Sequence, residues 1–351
     1  GEYCLDGPRR GDMYLRVPLE TEVAQIKDSN DDLVTVWSGP RRFAAYHSNR
    51  IMNWSISCAN GRGDCSKLPG LSGTTQQNID WGNTLATINL VHEHYNGDIS
   101  PKIDVYVTTD AVSDCDTPFG QGFNAARESR YVCVATPRSN FRVAHEIGHI
   151  LMNRALKLGT NKASSCGGNT AFDAKNNKNE KCSTTEGFAN FFGAAIFFTP
   201  TAADPIYQEI DRVLEADITL GNNGVADRCI SIDDNPHSIE GNVTRFFWDL
   251  YDTNQEVFNI TDLYDLTQTP VQVSGTVADN DQYSLEELVA VWTKFEPGTG
   301  QGQAEEGAAD GKPGQNNGRN AWDYACHLPS ARSEILLNCL AAQEPASDEC
   351  N

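Results

Sequence analysis

Basic residues are scarce in this chain: 27 lysines and arginines stand against 48 aspartates and glutamates, a formal net charge of −21. Such a surface repels phosphate backbones and anionic headgroups alike, so nucleic acid is not expected as a partner. No apolar run approaches the roughly 20 residues that cross a bilayer, and no membrane span is expected. A cysteine-held zinc site is disfavoured because no CxxC pair occurs. Gly1-Glu2-Tyr3-Cys4 carries neither an initiator Met nor an apolar signal core, as expected of a processed start. No internal repeat is evident.

What is present is a chain of 351 residues, 39% hydrophobic, enough for one large two-lobed catalytic unit or for two domains. Eleven cysteines in an acidic chain point to an oxidising, secreted or otherwise extracytoplasmic setting. Their spacing suggests local staples: Cys58 with Cys65, Cys115 with Cys133, Cys166 with Cys182 and Cys326 with Cys339. Cys4, Cys229 and Cys350 are left over, and an odd total leaves at least one thiol free or bonded outside the chain.

Residues 1–80 are expected to form a β-rich N-terminal region, because segments such as Met13-Tyr14-Leu15-Arg16-Val17 and Leu33-Val34-Thr35-Val36-Trp37 alternate in strand fashion. Residues 84–95 carry helical periodicity through Leu85, Ile88, Leu90 and Val91. Strands are expected at residues 103–107 and 131–135. A helix then repeats Val143, Ile147, Ile150, Leu151, Ala155 and Leu158 at intervals of three and four, ending near Gly159. The next helix, residues 185–198, is apolar nearly all round and should be buried; another runs through Val243, Phe246, Phe247, Trp248 and Leu250. Residues 297–320 read as a Gly-rich loop or linker, and 321–351 as a disulfide-stapled C-terminal segment.

Chemistry concentrates in His145-Glu146-Ile147-Gly148-His149, an HExxH run inside the amphipathic helix. Residues i and i+4 sit one above the other on a helix, so both imidazoles reach one Zn²⁺ while Glu146 turns toward its water. A water polarised by zinc beside a carboxylate that takes its proton is a hydrolytic device. Two unrelated histidines on one helix are the bland alternative. The metzincin pattern is excluded, because it needs Gly and His where the chain has Met152 and Ala155.

A third ligand is required, and two acids compete for the place. Asp173 lies among Lys and Asn residues and reads as solvated. Glu186 opens a buried helix, where a lone acid is costly without a positive partner. Its rival role is a capping box, Ser183-x-x-Glu186, that merely closes the helix N-terminus.

With HExxH followed by Glu186-Gly187-Phe188-Ala189 on a second helix, residues 103–252 resemble the gluzincin zinc metallopeptidases. The resemblance implies an α+β, zincin-like fold: a mixed sheet as upper lobe over the HExxH helix and a mainly helical lower lobe. The catalytic domain would then span residues 81–296, with its upper lobe ending near residue 160. Two departures stand out. Thirty-six residues separate His149 from Glu186, more than in the better-known members, and Asn190 stands where several members carry an aspartate supporting a zinc-bound histidine. Asn190 still offers an amide oxygen for that second-layer role.

For the developing oxyanion, residues 235–242 look like the segment that supplies a histidine in thermolysin-like members, which makes His237 the first candidate donor. Tyr251 is the second, since other gluzincins use a tyrosine. Residues 119–128 are a candidate sheet edge for a substrate strand. The expected function is a secreted zinc endopeptidase acting on a protein or peptide substrate, with Glu146 as general base. Its rival is a secreted binding or adhesion protein on the same scaffold, with zinc structural or absent.

Weaker features lead to blander readings. His92 and His94 sit at i and i+2, on different helix faces, and read as a solvated helix end. Arg62-Gly63-Asp64 is too short a match to weigh, Asp279-Asn280-Asp281 lacks the rest of a calcium loop, and three Asn-x-Ser/Thr sequons begin at Asn53, Asn242 and Asn259.

Overall fold

A computed structural model describes residues 12–13, 16–27, 31–37, 41–42, 75–107, 125–127, 131–134, 140–156, 180–202, 206–207, 212–213, 240–252, 258–264, 270–275, 283–294 and 321–328. These residues fall into two compact units, one gathering Gly1–Glu93, Ile99–Ala125 and Tyr131–Val143, the other His94–Asp98, Ala126–Arg130 and Ala144–Asn351.

The first unit is organised by parallel strands β3 (Ala24–Lys27), β6 (Ile103–Val107) and β8 (Tyr131–Val134). Ala24 pairs with Ile103 and Val105 with Val132, so the strands lie in the order β3-β6-β8. Parallel neighbours need a crossover, and between β3 and β6 the chain runs through α1 (Thr75–His94). Ala24, Ile26, Ile103, Val105, Val132 and Val134 are almost fully buried, as expected of short apolar strands in a parallel sheet. The Tyr106 hydroxyl donates to Asp31 Oδ1 at 2.6 Å, and its ring meets Tyr131 edge-on at 5.6 Å. That hydrogen bond outweighs burial and, with help from Lys27, holds the Asp31 carboxyl below its ordinary value.

Short antiparallel ladders flank this sheet in sequence: β1 (Asp12–Met13) pairs with β5 (Arg41–Arg42), and β2 (Arg16–Pro18) with β4 (Thr35–Trp37). Of the expected alternating strands, the described residues include pieces of two and three residues. In sheet order, β7 (Ala125–Arg127) borders β8 at one edge, inside the stretch singled out as a candidate edge. Cys133 on β8 is disulfide-bonded; its expected partner, Cys115, lies outside the described residues.

The second unit is built on helices. The HExxH helix α2 spans Asn140–Ala155, and α3 spans Glu180–Phe197. The latter begins five residues earlier than its apolar run announces, because its first turn is polar and carries no hydrophobic signal. α4 (Glu240–Asp249) follows, then α5 (Leu285–Val291) and α6 (Ala321–His327). Between α4 and α5, β11 (Phe258–Tyr264) and β12 (Pro270–Gly275) form an antiparallel hairpin with a bulge after Ile260. The short ladder of β9 (Ile206–Tyr207) with β10 (Arg212–Val213) precedes them.

Aromatic packing holds these helices together. Phe247 sits edge-on to Phe188 at 5.1 Å and to Tyr324 at 4.8 Å, and Trp292 lies 5.4 Å from Phe188 and 4.9 Å from Tyr324. Phe188, Phe247, Trp292 and Tyr324 are all essentially buried, so this cluster is the core that fixes α3 against α4, α5 and α6. Each such pair contributes about 0.5–1.5 kcal/mol beyond area burial. The buried Tyr324 hydroxyl is satisfied by donating to the Leu288 carbonyl at 2.6 Å. α5 starts with a full capping box: Ser284 Oγ accepts from the Glu287 amide, and Glu287 Oε2 accepts from the Ser284 amide at 2.8 Å. Among the described residues no helix is long and apolar enough to cross a membrane.

Candidate metal centre

His145 and His149 project from one face of α2, one turn apart, as an i and i+4 pair must. Their Nε2 atoms lie 3.1 Å from each other, and the rings meet edge-on at 4.7 Å. Glu186, on α3, places Oε2 at 3.3 Å from each of these nitrogens. Two helices therefore bring three ligand atoms into a triangle with sides of 3.1, 3.3 and 3.3 Å. Among the described residues this is the group of histidine, cysteine and acid side chains with metal-holding geometry.

The dimensions fit a cation. Nitrogen and oxygen ligands at 2.0–2.1 Å from a tetrahedral zinc stand about 3.3 Å from one another. Lone-pair chemistry fits too, because two imidazole nitrogens this close need a proton on one of them unless a cation accepts both. Burial alone would push the Glu186 carboxyl up, but the imidazoles of His149 and His145 outweigh it and hold Glu186 well below the usual carboxylate range.

Glu186 is not a helix cap. A capping box would need Ser183 as N-cap, yet α3 already starts at Glu180, so Ser183 and Glu186 both lie inside the helix. Ser183 is buried and the Glu186 carboxylate is turned to the histidines. Asp173, the competing acid, lies outside the described residues, as do His237 and residues 157–179.

Glu146 is buried on α2 beside His145. Asn190 is fully buried one turn beyond Glu186 on α3. Tyr251 follows the end of α4 with its ring against Phe191 at 5.7 Å and Trp248 at 5.5 Å. Burial, reinforced by the negative charge of Glu286, pushes its phenol up to about 12, so it remains a protonated donor at neutral pH. His92 and His94 are both exposed near the end of α1.

One residue that carried no signal in the sequence has a place here. Gly148 lies between the two histidines, and a Cβ built on it would stand 2.9 Å from Phe192 Cβ, 3.1 Å from its Cγ and 3.2 Å from its Cδ1. α2 and α3 approach too closely at that point for any side chain.

Residues 107–273 match the family model of the mycolysin C-terminal domain, mycolysin being a zinc metalloprotease. The match includes His145, Glu146, His149 and Glu186, along with Asn190, His237 and Tyr251. It relates this part of the chain to a metalloprotease family. Comparison with curated proteins and with solved structures gives no match.

Proposed function

We propose that the chain is a secreted zinc endopeptidase of gluzincin type, with a zincin-like catalytic domain acting on protein or peptide substrates. The observation that carries the reading is the convergence of His145 Nε2, His149 Nε2 and Glu186 Oε2 within 3.3 Å of one another, beside the buried Glu146. The mycolysin match over the same residues supports it.

Zinc held by His145, His149 and Glu186 would supply Lewis acidity to the bound water and the scissile carbonyl. The residues do the rest. His145 and His149 present neutral Nε2 lone pairs, and Glu186 contributes the negative charge that reduces the site's net positive charge. Glu146, one position beyond the first histidine, takes a proton from the attacking water and returns it to the leaving amine. Asn190 supports the histidine ligands from the layer behind. The developing oxyanion is met by an N–H or O–H donor, for which His237 and Tyr251 are the candidates. The neutral phenol of Tyr251 suits that task.

Glu146→Gln tests the proposal. It keeps the shape of the side chain and the metal ligands but removes the base. Zinc content should stay at that of the wild type while peptide hydrolysis falls by about 10²–10⁴-fold, the usual contribution of a positioned acid or base. Hydrolysis at wild-type rate with zinc still bound would refute the assignment of Glu146.

A further inference from the structure

We infer that Gly148 is a positioning residue: its missing side chain sets the α2 to α3 spacing that lets Glu186 reach the metal held by His145 and His149. The inference deepens the zinc reading and rests on it.

The argument begins with helix geometry. Gly148 is one i+3 step along α2 from His145, and Phe192 is two such steps along α3 from Glu186. These are ridge positions on the two helices, so the contact between Gly148 and Phe192 and the contact between His145 and Glu186 belong to one helix crossing. Phe192 lies about 9 Å along α3 from Glu186, close enough for a rigid helix to carry a displacement from one to the other.

Any side chain at 148 would have to displace Phe192. A Cβ there would stand 2.9 Å from Phe192 Cβ, and reaching ordinary van der Waals contact requires α3 to move out by about half an ångström. The atom in the way is a Cβ, fixed to the backbone, so rotating the ring does not relieve the clash. Nor is the ring free to swing: Phe192 is fully buried and lies edge-on to Tyr95 at 6.0 Å. Tyr95 is itself buried, and Gly97 packs directly over its ring so that a Cβ there would strike the phenol. Zinc ligand distances tolerate only about 0.2 Å, so a half-ångström displacement of α3 takes Glu186 out of good coordination unless its side chain strains to follow.

A glycine inside a helix costs about 0.5–1 kcal/mol relative to alanine, so the helix on its own would favour Ala at 148. Close approach to α3 is the compensating reason for glycine there.

The experiment is zinc affinity, read by competition with a chromogenic chelator, on wild type, Gly148→Ala and Phe192→Ala. Gly148→Ala should weaken zinc about 10–100-fold, the range seen when the support of a metal ligand is disturbed. Phe192→Ala keeps the Cβ that defines the spacing and should bind zinc within about threefold of wild type, although loss of the ring lowers its melting temperature. Wild-type zinc affinity in Gly148→Ala would overturn the inference. So would a loss in Phe192→Ala as large as in Gly148→Ala, since general loosening of the helix pair would then explain both. Should Gly148→Ala fail to fold, Phe192→Ala decides alone: zinc weakened about 10-fold or more in that variant would overturn the inference. Absence of zinc from the wild type would instead refute the metal reading itself, a distinguishable outcome.

Discussion

Glu186→Gln removes one corner of a triangle whose sides are 3.1, 3.3 and 3.3 Å, while leaving the size of the side chain unchanged. A glutamine oxygen is neutral and coordinates zinc weakly, leaving two imidazoles as effective ligands. Disturbing a group that only supports a ligand costs about 10–100-fold in metal affinity. Losing the ligand should cost at least about 100-fold, equivalent to about 2.8 kcal/mol. The consequence for stability follows from linkage. At free zinc 1,000 times the wild-type dissociation constant, the native state gains about 4.1 kcal/mol from binding, and a 100-fold weaker variant gains only about 1.4 kcal/mol. The assay is a pair of urea denaturation curves, with zinc and with chelator, for each protein. In chelator the variant should unfold at somewhat lower urea, because the imidazoles lose their charged partner, so the test reads the zinc-induced shift of each protein against its own chelator curve. In zinc only the wild type should move far. An equal zinc-induced shift in both proteins would refute the reasoning and return Glu186 to a purely structural role.

Three further outcomes are expected. Phe247→Ala empties the centre of the aromatic cluster formed with Phe188, Trp292 and Tyr324, and should cost about 3–5 kcal/mol in urea denaturation; a loss below about 1 kcal/mol would mean the cluster does not hold the helices. Ser284→Ala breaks the capping box of α5 and should cost about 1 kcal/mol, with unchanged zinc content. The phenols of Tyr95 and Tyr251 are pushed up to about 12, chiefly by burial and further by Glu286. A raised acid is bound more tightly to its proton in the folded state, so its contribution is complete below about pH 10 and disappears as pH rises toward 12. Phenolate absorbance should therefore show at least two tyrosines titrating late, with the urea midpoint falling across the same window. Normal titration of all the tyrosines would contradict that burial.

Where the candidate ligands lie in the sequence was legible before any coordinates, for a physical reason. The i and i+4 spacing of His145 and His149 is a helical period, and Val143, Ile147, Ile150 and Leu151 give α2 its buried face, so local pattern and ligand geometry coincide. Glu186 could be nominated because an acid inside an apolar helix asks for a partner. The strands β6 and β8 and the apolar helices α3 and α4 were legible for the same reason. Element boundaries were not: α1 begins at Thr75 rather than near residue 84, since Gly82 and the polar residues before it mask the period, and α3 begins at Glu180. The β11–β12 hairpin and the short helix α5 were missed because neither carries a long period.

Tertiary structure alone took Glu186 out of a capping role and set its carboxylate beside the two imidazoles. Ser183-x-x-Glu186 is compatible with both, and the choice depends on where α3 starts and which way its face turns. It also gave Gly148 a meaning, since a glycine within a helix has no legible purpose until another helix is seen pressed against it. Sequence fixes the residue types and their period along one element, while the meeting of two elements about 40 residues apart depends on packing between them.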